Sequence, residues 1–378
     1  MALIIKEVSS NKEWKDFIRF PEKLYKDNPY YVPSLEFDVK DTLSPKSNPA
    51  YDFCEAKMYL AYRDGECVGR VAAIVNNLAN EQWNHKEVRF GWFDFIDDKE
   101  VSAALVAKVE EFGRERGMED IVGPLGFTDF DPEGMLVEGY DRMSTMALIY
   151  NHPYYVEHIE ALGFAKDVDW IEIRVELPEK LPEKFIRVAE FIQKRSKVHI
   201  QPVTKKMIKK EHYGEKLFAL INECYKKLYD FTVLPEKMIR KYMDFYLGLL
   251  PLKYVSCVEN EKGELVAFGV VMPSLAKVLQ KTRGKLFPFG WIHLAKALYF
   301  KYDDTLEMLL VGVHPDYRDS GINSLVFTDL FDRAVRDGFR HAETNAILET
   351  NVKNIAQWTL FPHEIKKRRR SYKKKLEA

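Results

Sequence analysis

Cysteine is scarce. Cys54, Cys67, Cys224 and Cys257 lie far apart and form no C-x-x-C pair, which excludes a zinc ribbon and points to a reducing compartment. The nine histidines include no H-E-x-x-H and no pair at helical metal spacing, so no metal is expected. No G-x-S-x-G elbow occurs, which leaves a hydrolase triad without support. Neither sign of charge is in excess: the formal net charge is −1, so the whole molecule has no bias toward nucleic acid or anionic membrane. Any such preference must come from a local patch. No apolar run approaches the roughly 20 residues that a spanning helix needs, and Met1 to Ser10 is too short in apolar residues for a signal peptide. A cytoplasmic location is expected. Asp129-x-Asp131-x-Glu133-Gly134 opens like a calcium loop, but Pro132 interrupts it and Tyr140 stands where a closing glutamate is needed.

What is present is ordinary globular composition, 46% hydrophobic and 30% charged, long enough for two domains at roughly 150 residues each. The chain turns on Thr305 to Gly338. Leu306 to Val313 is the length of a buried strand, and His314-Pro315 stops it. After Gly321, the residues Ile322, Leu325, Val326, Leu330 and Ala334 recur at helical spacing until Gly338. A strand, a tight turn and a helix aim unpaired N–H groups and a positive dipole end at an anion. The turn Arg318-Asp319-Ser320-Gly321-Ile322-Asn323, reached through Val313, Pro315, Tyr317 and Arg318, resembles the pyrophosphate loop Q/R-x-x-G-x-G/A of the GCN5-related N-acetyltransferases. Asn323 stands where that family has Gly or Ala, and Asp319 adds a carboxylate.

The order of elements repeats. A hairpin around Asp64-Gly65 recurs around Lys262-Gly263, and DGECVGRVAAIV at 64–75 aligns without gaps on KGELVAFGVVMP at 262–273. The later helix ends, Gly117 and Gly338, are farther apart, so the second half carries an insertion, Gln280 to Tyr302; the first half has its own, Thr128 to Tyr150. The expected fold is α/β (α+β, mixed sheet), two tandem acyl-CoA N-acyltransferase folds: residues 1–178, a linker helix at 179–197, and residues 198–378. Pro33 to Phe53 is expected to be a long loop. Where the second half has its turn, the first has only Asp97-Asp98-Lys99-Glu100, with no Arg or Gly and the wrong charge for pyrophosphate, so it is read as a non-catalytic copy.

The resemblance implies that the second half binds acetyl-CoA or a longer acyl-CoA, with Arg318, Asp319, Ser320, Gly321, Ile322 and Asn323 at the phosphates and the Val313 main chain on the pantetheine arm. An amine acceptor at pH 7 needs about 4.6 kcal/mol to lose its proton, so a general base is required. Glu307, on the central strand eleven residues before Arg318, matches the base of the histone-acetyltransferase branch; the other reading is an exposed glutamate at the strand's start. The family's N-x-x-A-x-x-x-Y aligns with Asn351 to Trp358. Asn351 either positions the coenzyme or caps a helix, and Trp358 replaces a tyrosine proton donor with a packing residue.

The insertion at 280–302 gathers Phe287, Phe289, Trp291, Leu294, Leu298 and Phe300 among Lys281, Arg283, Lys285 and Lys301. It suits a peripheral membrane contact or a pocket for a lipid-like acceptor, or it packs between the domains. Lys366 to Lys375, KKRRRSYKKK, is read mainly as a solvated tail. The functional expectation is an N-acyltransferase acting on a small-molecule amine or lipid-like acceptor; the alternative is a non-catalytic module that binds acyl-CoA or a partner.

Overall fold

The computed structural model describes residues 2–300 and 303–377. Its strands are β1 (Leu3–Glu7), β2 (Cys54–Arg63), β3 (Glu66–Asn76), β4 (Glu87–Phe95), β5 (Asp120–Gly123), β6 (Met135–Glu138), β7 (Ala165–Glu176), β8 (Val198–Gln201), β9 (Val255–Asn260), β10 (Leu265–Pro273), β11 (Thr305–Val313), β12 (His341–Thr344), β13 (Ile347–Leu348) and β14 (His363–Lys375). The α-helices are α1 (Asn11–Leu24), α2 (Glu36–Leu43), α3 (Asn77–Trp83), α4 (Lys99–Arg114), α5 (Tyr154–Ala161), α6 (Glu183–Ser196), α7 (Lys205–Lys210), α8 (Tyr213–Tyr225), α9 (Glu236–Leu249), α10 (Ala276–Thr282), α11 (Gly290–Phe300), α12 (Ile322–Arg336) and α13 (Val352–Ala356). Both hairpins stand where Asp64-Gly65 and Lys262-Gly263 place them, because Asp64, Gly65 and Gly263 take the positive φ that such turns require. Pro33 to Phe53 is not a loop throughout: α2 and a 3-10 turn at Pro49–Asp52 occupy it. Asn48 starts that turn by accepting the Ala50 N–H, a local cap that proline content conceals.

All strands join one mixed sheet, in the order β1-β2-β3-β4-β5-β14-β7-β12-β11-β10-β9-β8, with β6 on β14 and β13 on β7. The repeat is visible in it: β4 runs parallel to β5, as β11 does to β12. One feature breaks the symmetry of two separate units. β14, the last strand of the second half, pairs with β5 and β6 of the first, while β7, the last strand of the first half, pairs with β12 of the second. The two exchanged strands lie side by side. One apolar cluster also crosses between the halves, joining Phe17, Leu60 and Ile74 to Ile221, Phe268 and Val270.

The basic run is therefore not a solvated tail. Arg369 is fully buried and Lys367 nearly so. Every cation of the run but Lys367 finds an acid: Arg369 Nε lies 2.5 Å from Glu172 Oε1, Arg370 Nε 2.7 Å from Asp169 Oδ1, Lys366 Nζ 2.6 Å from Glu343 Oε2, and Lys374 Nζ 2.9 Å from Glu110 Oε1. Lys367 instead donates to Ser144 Oγ at 2.8 Å, and burial pulls its ammonium down to about 7. An apolar-periodicity reading misses such a strand, since its charges are answered only in the folded protein, by acids on β7, β12, β5 and α4.

Removing one member of a buried ion pair leaves the other unpaired, which costs about 3–5 kcal/mol. Arg369→Ala is expected to lower the unfolding free energy by about that much, measured from urea midpoints, whereas a solvated tail would change it by no more than about 0.5 kcal/mol.

Candidate active site

The centre of the second half is the place where two parallel strands part. β11 and β12 pair only from Thr305–His341 to Met308–Thr344. The chain then leaves β11, and β13 joins β7 instead. Leu309 to Val313 continues along β10 with no strand on its other edge. A shift of register at Val270/Val271 leaves Leu309 unmatched there, so β11 bulges at the parting point. A side chain closes the open edge: the Tyr225 hydroxyl, at the end of α8, donates to Val311 O at 2.8 Å and lies 3.2 Å from the Val311 N–H that points at it. Arg318 holds the same helix end by donating to Cys224 O at 2.9 Å.

β11 leads through His314 into a 3-10 helix, Pro315–Ser320, and then into α12. A 3-10 helix turns its N–H groups back on carbonyls three residues earlier, so part of the expected phosphate loop is wound on itself in this conformation. Gly321 joins the two helices at φ +83, and a Cβ there would meet Ile192 of α6 at 3.2 Å. The bridging helix thus lies directly on the loop. No side chain caps α12. At the matching helix of the first half, α4, the Asp98 carboxylate accepts from Glu100 N and Val101 N, and Arg63 pairs with Asp98. The first half fills its helix N-terminus with its own anion; α12 has no such cap among the described residues.

The other predicted residues are spread around this turn. Asp319 points to solvent and pairs with Lys353 at 2.9 Å, both exposed, so its carboxylate does not sit inside the loop. Ser320 Oγ donates to Tyr317 O at 2.5 Å. Ile322 is buried under α12, Asn323 donates to Gln357 Oε1 at 3.0 Å, and half-buried Val313 packs on the same core. Asn351 caps α13, its side chain accepting from Asn354 N at 3.3 Å. Trp358 is buried against Phe327, ring centroids 5.0 Å apart, and its indole N–H has no partner.

Glu307 is buried, not an exposed residue at the start of a strand. Ser274 Oγ donates to its Oε1 at 2.7 Å, and Met146 N lies 3.3 Å from Oε2. Across the parallel register stands Glu343, neutralised by Lys366 of β14 at 2.6 Å and by Arg174 of β7 at 3.0 Å. Burial pushes the Glu307 carboxyl up to about 7, with Ser274 pulling it back and Glu343 adding to the rise. Such a group exchanges a proton near neutral pH. Four of its neighbours, Met146, Ser274, Glu343 and Lys366, come from distant segments, and no spacing in the chain announces them.

Beside Leu309, Leu310 and Asn345 opens a mostly apolar cavity of about 130 Å³. Tyr213, Phe218 and Ile221 of α8 form one wall; Phe130, Leu148 and the carboxyls of Asp129, Asp131 and Glu133 form the wall contributed by the first half's insertion. The calcium-loop-like acids are thereby given other work. Asp131 accepts from Phe127 N and Thr128 N, and Asp129 from Thr232 N. Glu133 has no hydrogen-bond or ion-pair partner among the described residues, and burial holds its carboxyl well above the usual range, with Asp129 adding to the rise. His85, Glu87 and Asp230 bring ligand atoms within 4.8 Å of one another, but Arg89 at 2.7 Å from Asp230 and Lys373 against Glu87 already neutralise the carboxylates, which disfavours a metal cation there.

No family model matches the chain. It is 29% identical to Protein YghO of Escherichia coli K12, over 99% of this chain and 95% of that protein, and 26% identical to a protein named bacterial ceramide synthase from Caulobacter vibrioides, over 91% and 90%. Among solved structures it is similar to a tandem GNAT protein from the clavulanic acid biosynthesis pathway, with a TM-score of 0.58 at 13% identity over 100% of this chain and 99% of that one. It is also similar to a GCN5-related N-acetyltransferase from Sphaerobacter thermophilus, with a TM-score of 0.54 at 11% identity over 100% and 96%.

The raised Glu307 carboxyl has a thermodynamic signature. Between its unfolded value near 4.5 and about 7 the folded protein keeps a proton that the unfolded chain releases, so this group's contribution falls as pH rises through that window. From pH 5 to pH 8, wild-type protein is expected to lose about 1–3 kcal/mol more stability than Glu307→Gln, measured by urea unfolding at both pH values.

Proposed function

The chain has a tandem GCN5-related N-acetyltransferase fold, and from that premise we propose that it transfers an acyl group from acetyl-CoA or a longer acyl-CoA to the amine of a lipid-like acceptor. The observation that carries this reading is the parting of β11 from β12 after Met308 directly upstream of a helix whose N-terminus no side chain caps. A coenzyme thioester would supply the acyl group, the new amide bond forming as the C–S bond breaks. The donors of α12's first turn, with Arg318, Asp319, Ser320, Gly321, Ile322 and Asn323 around them, suit a diphosphate. Val311 and Val313 offer main-chain groups along the open edge, and Asn351 stands near the far side of the turn. Residues 198–378 would hold the coenzyme, while the first half, its α4 already capped by Asp98, would not.

Glu307 would take the proton that the attacking amine loses, its carboxyl poised near neutrality by burial. The acceptor's chain would lie in the apolar cavity beside Leu309, and Glu133, a carboxyl whose proton burial retains on that cavity's wall, suits a hydrogen-bonding group of the acceptor. The similarity to a protein named bacterial ceramide synthase favours a lipid-like acceptor. Two observations favour the non-catalytic alternative: Trp358 has no proton to give a thiolate, and Tyr225 occupies Val311. In the catalytic reading Tyr225 gives way when coenzyme binds.

Glu307→Gln is expected to lower kcat by about 10²–10⁴ and to abolish an acidic limb near pH 7 in the rate profile, read by thiol release over a panel of amines. Binding of acetyl-, long-acyl- or free coenzyme A without turnover would instead support the binding module. Tyr225→Phe removes the competitor for Val311, so coenzyme affinity by calorimetry is expected to rise about two- to tenfold, one hydrogen bond's worth; unchanged affinity would mean that this edge is not used.

A further inference from the structure

The insertion's helix does two things at once. Its inner face, Leu294, Ala297 and Leu298, packs on α10 and on Val32 and Leu35 of the first half, as the interdomain reading expected. Its outer face is apolar too. Trp291, Ile292, Tyr299 and Phe300 form a stripe at helical spacing that is open to solvent, and Phe287 and Phe289 extend it ahead of the helix. Phe287, Phe289 and Phe300 are 80, 67 and 77% exposed, which is unusual for rings of this size. All six fall between residues 287 and 300, on α11 or directly ahead of it, so the exposed apolar groups are concentrated on one element.

Within the segment that carries the patch, charge has a single sign. From Ser274 to Tyr302 the chain has no Asp or Glu, but has Lys277, Lys281, Arg283, Lys285 and Lys296, with Lys301 outside the described residues. Lys277 is answered by Asp303, and Arg283 and Lys285 by Glu22. Lys281 and Lys296 have no ion-pair partner among the described residues, and Lys296 lies within the apolar stripe itself. Exposed aromatic rings interleaved with free lysines fit the boundary between acyl chains and anionic headgroups. A second copy of the chain fits less well, because a two-fold contact would set these lysines against themselves.

We propose that Phe287, Phe289, Trp291, Ile292, Tyr299 and Phe300 dock the protein on the surface of an anionic lipid bilayer. At 11 residues α11 is too short to cross one, and it would lie in the interface. The patch also leads inward. Leu294 and Leu298 share a cluster with Met146, Leu250 and Leu309, and Leu250 and Leu309 line the cavity. An acceptor amphiphile could thus pass from the bilayer to the strand bearing Glu307 along apolar side chains. That path rests on the acyl-transfer reading; the docking itself does not.

The test uses the full chain without coenzyme, so its outcome is independent of turnover. Sedimentation with phosphatidylcholine vesicles containing phosphatidylglycerol is expected to capture wild-type protein about tenfold more tightly than phosphatidylcholine alone. Phe287→Ser with Phe289→Ser is expected to weaken capture on the mixed vesicles about tenfold with an unchanged thermal midpoint, since both rings are exposed. Lys281→Glu is expected to weaken it on those vesicles only. Absence of capture at millimolar lipid, capture indifferent to the two phenylalanines, or a lipid-free dimer that the double variant dissolves would each overturn the proposal.

Discussion

The buried ion ladder between β7 and β14 is the constraint on which the rest of the molecule depends. Two strands carrying this much charge cannot be buried separately, because each unpaired carboxylate or guanidinium taken from water costs several kcal/mol. Folded together they are answered from several elements, Arg369 by Glu172 and Arg370 by Asp169 of β7, Lys366 by Glu343 of β12 and Lys374 by Glu110 of α4. β7 belongs to the first half in sequence and β14 to the second, and these ion pairs help hold the exchanged strands side by side in one sheet. An apolar pair at this position could slip or pair with its own kind. Opposite charges favour the register that sets Arg369 against Glu172 and Arg370 against Asp169.

The ladder also sets the electrostatics of the candidate site. Lys366, the first buried cation of β14, reaches Glu343, which faces Glu307 across the parallel register. Had Glu343 lacked Lys366 and Arg174, two carboxyls side by side would have compelled one to hold a proton firmly. With those cations in place, Glu307 is left near neutrality. The first half contributes again through Met146, whose N–H meets the same carboxyl. Glu307 is thus a property of the joined molecule. Its environment is assembled from β10, the first half's insertion and both exchanged strands.

Much of this architecture was legible in the chain. The hairpins followed from Asp64-Gly65 and Lys262-Gly263, the helix ends from Gly117 and Gly338, and the repeat from the alignment of 64–75 on 262–273, because turn chemistry and periodicity are local. The burial of Lys366 to Lys375 was not legible, since a strand neutralised by its neighbour has the composition of a solvated one. Tyr225 was missed for a related reason: nothing marks a tyrosine at a helix end as the partner of a strand edge 86 residues away. Glu307 was found by its position on the strand, yet its burial depends on contacts that no spacing encodes.

The two helix N-termini show how duplicated folds diverge at small cost. α4 and α12 occupy matching places after matching strands, and each presents the same unsatisfied first-turn donors. In the first half Asp98 answers them and Arg63 answers Asp98, so the end is closed by side chains of the half itself. In the second half Gly321 has no side chain to offer and takes a φ that most residues avoid. One carboxylate in place of one glycine therefore separates a helix end capped by a side chain from one that is not. That difference closes the first helix end with its own carboxylate and starts the second on main chain alone, a divergence that leaves the strand and helix around each end unchanged.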